Sequence, residues 1–273
     1  MKSEVALIND YNSRWSINWQ RHNKAFDPVE ALKSYYGPVR ELVRSVDVVS
    51  DTAPLSGYKL VVAPALNVLT PEAVKNLEAY VRGGGHLVLG QRSGMKDEDN
   101  TLYPERQPGP LAGMLGARVE QWYALQQPVP VTGDWGSGTS PMWAEQIGVK
   151  SPDTKVLMRY GTSNGWLDGQ PAAVTRKVGK GSITYIGAGL DEATMKQAAK
   201  WMVEESGAKT FMADVPETVE VSVREGDGRH VVIMENLGES TTVTLPQAMS
   251  DVLKGGSVSS VKLEKYGVAV LKF

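Results

Sequence analysis

The chain has 273 residues, 41% of them hydrophobic, with 29 Lys and Arg against 31 Asp and Glu and no cysteine. The near-balance of charge gives no electrostatic argument for nucleic acid or an anionic membrane as partner. The missing cysteines exclude disulfides, thiolate metal sites and a cysteine nucleophile together, and no apolar run approaches the ~20 residues of a membrane helix.

A first strand is read at Val5–Ile8, cut short by Asn9 and Asp10. That is too brief for a signal peptide, so the cytoplasm is the expected compartment. Asp27, Pro28 and Glu30 form a helix start, with Asp as N-cap and Pro at the first helical position. Val29, Leu32, Tyr36, Val39 and Val43 follow near helical period, and Gly37-Pro38 is expected to kink or split this helix. Strands are read at Val46–Val49 and Lys59–Ala63. Thr70-Pro71-Glu72 caps a second helix, with Val74, Leu77 and Val81 on one face, stopped by Gly83-Gly84-Gly85. His86–Leu89 is the next strand. Continuous apolar strands alternating with capped helices indicate a doubly wound parallel sheet covered on both faces.

Further along, Trp122-Tyr123 lies on a strand, Gly133–Ser140 (GDWGSGTS) reads as a flexible loop, and Val156–Tyr160 is strand-like. Ala173–Val178 and Ser182–Ile186 pair through the hairpin signal Gly179-Lys180-Gly181. Asp191 caps a helix carrying Met195, Ala199, Met202 and Val203, ended by Gly207. Beyond about Thr210 the style changes. Thr218–Val223, His230–Met234, Thr241–Leu245 and Val268–Leu271 are short strands with no helix signal, and they suggest a small antiparallel β-sandwich. The boundary is placed near residues 210–216, giving domains 1–212 and 213–273.

Asp97, Glu98 and Asp99 could offer oxygen ligands to a cation, but they lack the regular ligand spacing of a calcium loop and read better as a solvated or interface loop. His22, His86 and His230 show no zinc-enzyme spacing. Gly187-Ala188-Gly189 sits between a strand and a helix, yet Glu192 stands where a phosphate-binding fingerprint needs glycine, so a tight turn and helix cap is the plainer reading. No G-x-S-x-G elbow and no P-loop is present. Seven tryptophans are many for this length. Trp15 and Trp19, four apart, and Trp135 and Trp143, flanking the Gly/Ser loop, are candidates for burial, sugar stacking or an interface.

The segments VALINDYNSRW at 5–15, TPEAVKNLEAYVRGGGHLVLGQRSGMKDEDN at 70–100 and PGPLAGMLGARVEQWYAL at 108–125 resemble the middle domain of family 42 glycoside hydrolases, the β-galactosidases. The tail ending in YGVAVLKF resembles that family's small C-terminal β domain. The resemblance implies a flavodoxin-like domain of class I glutamine amidotransferase type that builds a homotrimer. It also implies a catalytic (β/α)8 barrel of roughly 250 residues before residue 1, in cis or in trans. Both glutamates of a retaining glycosidase would sit on that barrel, so no catalytic residue, metal or cofactor is assigned here, and galactoside would be met through the barrel. Gly37-Pro38 departs from the unbroken helix expected in the family. Trp15, Trp19, Arg92, Lys96, Asp97, Glu98 and Asp99 are the expected contact residues, with the Ser93–Asn100 loop docking on a barrel or a neighbouring subunit. Two competing readings are a free-standing carbohydrate-binding or regulatory module, and an independent hydrolase using Asp97, Glu98, Asp99 or His86.

Overall fold

The structure is a computed structural model that describes residues 3–43, 45–209, 212 and 215–273. Two compact units are present, Val5–Val39 with Asp47–Ala208, and Met1–Glu4 with Arg40–Val46 and Lys209–Phe273. The expected boundary at 210–216 includes residues 210, 211, 213 and 214, which lie outside the described residues.

In chain order the first stretch holds β1 (Val5–Ile8), α1 (Tyr11–Trp19), α2 (Pro28–Val43), β2 (Asp47–Val49), β3 (Leu60–Ala63), α3 (Pro71–Gly83), β4 (His86–Leu89), α4 (Ala112–Leu115), β5 (Ala117–Ala124), β6 (Val129–Gly133), β7 (Gly136–Ser140), β8 (Trp143–Val149), β9 (Lys155–Tyr160), β10 (Pro171–Val178), β11 (Gly181–Ile186) and α5 (Glu192–Ser206). A nine-stranded sheet runs β2-β1-β3-β4-β11-β10-β9-β6-β7. Its first five strands are parallel, and the rest join antiparallel. Every residue of β1, β3, β4 and β11 is buried. A strand covered on both faces has no polar side to show, which is why β1, β3 and Leu87–Leu89 of β4 read as unbroken apolar runs, while β11 also buries Ser182 and Thr184. Strands β5 and β8 form a separate two-stranded ladder.

The helix ends follow their capping chemistry. Thr70 Oγ1 accepts from Ala73 N at 3.1 Å, and Gly84 closes α3 in the left-handed region. Asp191 accepts from Thr194 N at 2.9 Å and Gly207 ends α5. Such caps satisfy backbone groups that a helix end leaves without partners.

Three local expectations change. First, α2 passes through Pro38 without being split. Gly37 precedes the proline, and a residue without Cβ is the one least hindered by the prolyl ring. The lost N–H bond still costs, so Pro38→Ala is expected to raise stability by about 1–3 kcal/mol in a denaturant titration. Second, Gly133–Ser140 is not a loop. It completes a hairpin, Gly133 pairing with Gly136 across Asp134 and Trp135, and Trp135 is buried. Third, α1 fills what reads as a connection. Asp10 is its N-cap, accepting from Ser13 N at 2.6 Å and from Asn12 N at 3.3 Å.

The remaining stretch carries β12 (Val219–Gly226), β13 (Arg229–Asn236), β14 (Thr241–Asp251), β15 (Ser257–Leu263) and β16 (Val268–Lys272). They are antiparallel, as expected, with alternate residues such as Val219, Val221, Val232, Met234, Val261 and Leu263 gathered in one core. A sandwich of two sheets is expected from the sequence. The strands instead share one five-stranded sheet, β12-β13-β16-β14-β15, because the long β14 bonds to both β15 and β16. No helix among the described residues is long and apolar enough to cross a membrane.

Candidate functional site: an aromatic face and the buried elbow behind it

Helix α1 has two unlike faces. Ser13, Ser16 and Ile17 are buried, while Tyr11, Trp15 and Trp19, at i, i+4 and i+8, stand in solvent. Trp15 is 64% exposed and Trp19 is 91% exposed, values far from the usual burial of tryptophan. Tyr11 and Trp15 touch, with ring centroids 5.9 Å apart.

The inner face of α1 grips the loops after β3 and β4. Ser16 Oγ lies 2.7 Å from Asn100 Oδ1 and 2.9 Å from Asn67 Oδ1, and Val68 N donates to Ser13 Oγ at 2.9 Å. Lys96 is mostly buried, and its Nζ donates to Asn100 Oδ1 at 3.1 Å. Asp97 turns the loop: its Oδ1 accepts from Asp99 N at 3.0 Å and from Thr101 N at 2.8 Å. That is the geometry by which a short acidic side chain replaces a backbone turn bond. Glu98 and Asp99 remain exposed. An open groove of about 390 Å³ results, lined by Trp15, Trp19, Val68, Glu98 and Asn100. A second groove shares Trp19 and Asn100 and continues to His22, Leu102 and Trp122.

Of the seven expected contact residues, Trp15, Trp19 and Glu98 thus line one groove. Asp99 is exposed on the same loop. Asp97 and Lys96 shape that loop from within. Arg92 lies elsewhere. It is expected at a contact surface, but it is 2% exposed and enclosed by the domain's own aromatics. Asn100 closes the loop expected to dock, whereas Tyr11, Leu102 and Trp122 are not among the expected contact residues. The i, i+4, i+8 spacing of Tyr11, Trp15 and Trp19 is the signal that could have found the first of them.

Arg92 sits on a sharp turn, Gly90-Gln91-Arg92-Ser93-Gly94, directly after β4. Its φ is +67°, in the left-handed region that an L side chain rarely adopts. Gly90 packs tightly on Pro64 and Ala65, and Gly94 lies so close to Pro108 that a Cβ would collide with its carbonyl. A strained residue between two glycines at a strand's end is one part of the hydrolase nucleophile elbow, but no helix directly follows it here and it carries a guanidinium.

Beneath it lies Glu145 on β8, fully buried. Glu145 Oε1 accepts from Arg92 N at 2.9 Å and from Trp143 Nε1 at 3.0 Å, and Oε2 accepts from Tyr185 Oη at 2.7 Å. Burial pushes this carboxyl up to about 7, against the pull of these donors and of the Arg92 charge. The same burial pushes the phenols of Tyr160 and Tyr185 well above their usual range and draws Arg92 down to about 10, still a cation at neutral pH. Glu145 therefore favours folding most below its unfolded value near 4.5. That contribution is lost as pH rises through about 7. Glu145→Gln is expected to gain on the wild type by about 2–3 kcal/mol between pH 5 and pH 8, read from denaturant midpoints at each pH. A gap that stays constant with pH would remove the titration from this account.

The other candidate chemistry disperses. His86 begins β4, at the opposite end of the strand from the 93–100 loop. It is buried with Nε2 2.9 Å from Thr184 Oγ1 and its ring edge-on to Trp201. Burial lowers it to about 4, so it is neutral at neutral pH. Glu98 and His86 are thus not brought together. In the Gly187–Gly189 turn, Gly187 N donates to Ala172 O and Gly189 N to Trp143 O, leaving neither amide to cradle a phosphate. Trp143 is buried, and it stacks on Trp122 at 5.0 Å and 9°.

The fold and this face define a mixed α/β protein with a further sheet of antiparallel strands, bearing an exposed aromatic helix. The model of one family, the β-galactosidase trimerisation domain, matches residues 3–209, and the chain belongs to that family. It is 32% identical over 290 residues to β-galactosidase Bga of Halorubrum lacusprofundi, covering 98% of this chain and 41% of that protein. It is 30% identical to β-galactosidase BglY of Alicyclobacillus acidocaldarius, with 100% and 41% covered. The chain thus spans about two-fifths of the length of these relatives. Among solved structures it is similar to the polyextremophilic β-galactosidase of the Antarctic haloarchaeon H. lacusprofundi, with TM-score 0.86, 32% identity, and coverage of 100% of this chain and 40% of that one. The β-galactosidase of Bacillus circulans sp. alkalophilus shares the fold, with TM-score 0.93 at 24% identity, covering 99% of this chain and 41% of that one.

Proposed function

We propose that this chain is a non-catalytic portion of a β-galactosidase that holds three copies together and shapes the approach to a (β/α)8 barrel supplied in cis or in trans. On this reading residues 1–212 form a doubly wound, flavodoxin-like domain of glutamine amidotransferase type, and residues 213–273 form the C-terminal β domain. Galactoside is met through the barrel. The observation that carries the reading is the exposed Tyr11, Trp15 and Trp19 row beside Glu98 and Asn100. Large aromatics ringed by polar groups are the composition of an interface core with its rim. Membership of a trimerisation-domain family supports it.

Light scattering on the purified chain at several concentrations tests it. A mass three times that of the monomer is expected, and a monomer at every concentration would sink the claim that these domains carry assembly. A second reading, a carbohydrate-binding module, draws on the same groove, where two indole faces border the polar groups of Glu98 and Asn100. Titration with galactose and lactose separates the two, since saturable shifts of Trp15 and Trp19 signals in a monomeric chain would favour the module.

A further inference from the structure

The turn after β4 holds a strained, non-glycine residue and commits its side chain inward. Arg92 Nη1 donates to Arg21 O at 2.8 Å and Nη2 to Gln20 O at 2.9 Å. These are consecutive carbonyls at the end of α1. Gln20 is the helix C-cap, with its own N–H turned back to Ser16 O and Ile17 O. A cation at a helix C-terminus is also favoured by the helix dipole. The guanidinium carbon lies 4.9 Å from the Phe26 ring centre and 4.8 Å from that of Trp143. Glu145 holds the Arg92 amide, and its ionised form opposes the guanidinium charge. One planar fork thus ties the end of α1, the segment leading to α2, and β8 to a single point.

We infer that Arg92 is a positioning residue that locks the C-terminal end of α1 and thereby pre-orients its aromatic face. The consequence for assembly rests on the proposed contact role of that face. Trp19 immediately precedes the two clamped carbonyls and is almost wholly in solvent, so little beyond the backbone fixes its direction. A partner that meets a fixed side chain is spared the ordering cost that a mobile one imposes. Lysine cannot replace this arginine. It has a point charge on a flexible stem, with no plane to lie between two rings and no fork for two carbonyls.

The test compares the wild-type chain with Arg92→Lys and Arg92→Met by amide hydrogen exchange, thermal melting and sedimentation. Arg92→Lys keeps the charge facing Glu145, so it stays informative if Arg92→Met fails to fold. In Arg92→Lys, exchange over residues 17–26 is expected to rise at least tenfold well below the melting temperature, with β1, β3 and β4 still protected, and self-association to weaken at least tenfold. A uniform rise over the whole domain, or no rise at 17–26, would overturn the clamp and leave Arg92 an ordinary core residue. Local loosening with unchanged association would uphold the clamp and overturn the reading of α1 as the contact face.

Discussion

Alanine at both Trp15 and Trp19 is expected to weaken self-association of the chain at least a hundredfold while moving its melting temperature by no more than about 2 °C. Each indole removed from the centre of an interface typically costs about 2 kcal/mol or more, and tenfold in affinity is about 1.4 kcal/mol. Two such losses exceed a hundredfold even when they add incompletely. Stability is spared because both rings are mostly in solvent, so the fold loses little buried area with them. Helix α1 keeps its Asp10 cap and its buried Ser13, Ser16 and Ile17. Glu98, at the rim of the groove, should matter less, and Glu98→Ala is expected to change affinity by less than about threefold. Sedimentation equilibrium reads all three. Unchanged association in the double variant would remove α1 from the contact surface.

Gly94→Ala is expected to destabilise the chain by about 3–5 kcal/mol, enough to consume much of the stability of an ordinary domain. Two costs combine. Gly94 has φ +67°, which an L side chain adopts with strain of about 1–3 kcal/mol. A Cβ there would also lie 2.3 Å from the Pro108 carbonyl oxygen, a backbone atom that cannot swing aside, and overpacking of this kind costs about 1–3 kcal/mol. Gly113 gives the contrasting case. It lies within the short helix α4 with open space where its Cβ would go, so Gly113→Ala should be neutral or stabilising by up to about 1 kcal/mol. Equal losses from both substitutions in urea titrations would mean that the elbow is not the tight point described.

The two tryptophan pairs show where the sequence stops being informative. Trp15 and Trp19 are exposed, whereas Trp135 and Trp143 are buried. The residue type is the same in both, and only the packing around it differs. Trp135 is buried because Gly133 and Gly136 fold back as a hairpin, and glycines in a run of small residues read equally well as a loop. Arg92 is harder still. A cation after a strand reads as a surface group, and nothing local announces that Phe26, Trp143, Glu145 and two carbonyls of a distant segment will enclose it. Glu145 likewise looks like one polar position in a β-strand until Tyr185 and Trp143 close over it.

What the sequence determined by itself is what short-range chemistry controls. Asp27, Thr70 and Asp191 cap helices because a side-chain oxygen reaches an N–H two or three residues away. The apolar runs of β1, β3 and β4 specify strands with two covered faces. The hairpin at Gly179–Gly181 and the antiparallel tail follow from turn residues and alternation. Family membership too is carried by contiguous segments of sequence. Tertiary structure alone decided that α1 turns its aromatics outward, that Asn100 of the acidic loop meets Ser16 of α1, and that the arginine lies inside. Each of these depends on residues far apart in the chain, brought together only when the sheet has formed, and no local pattern encodes which side of a surface such residues will occupy.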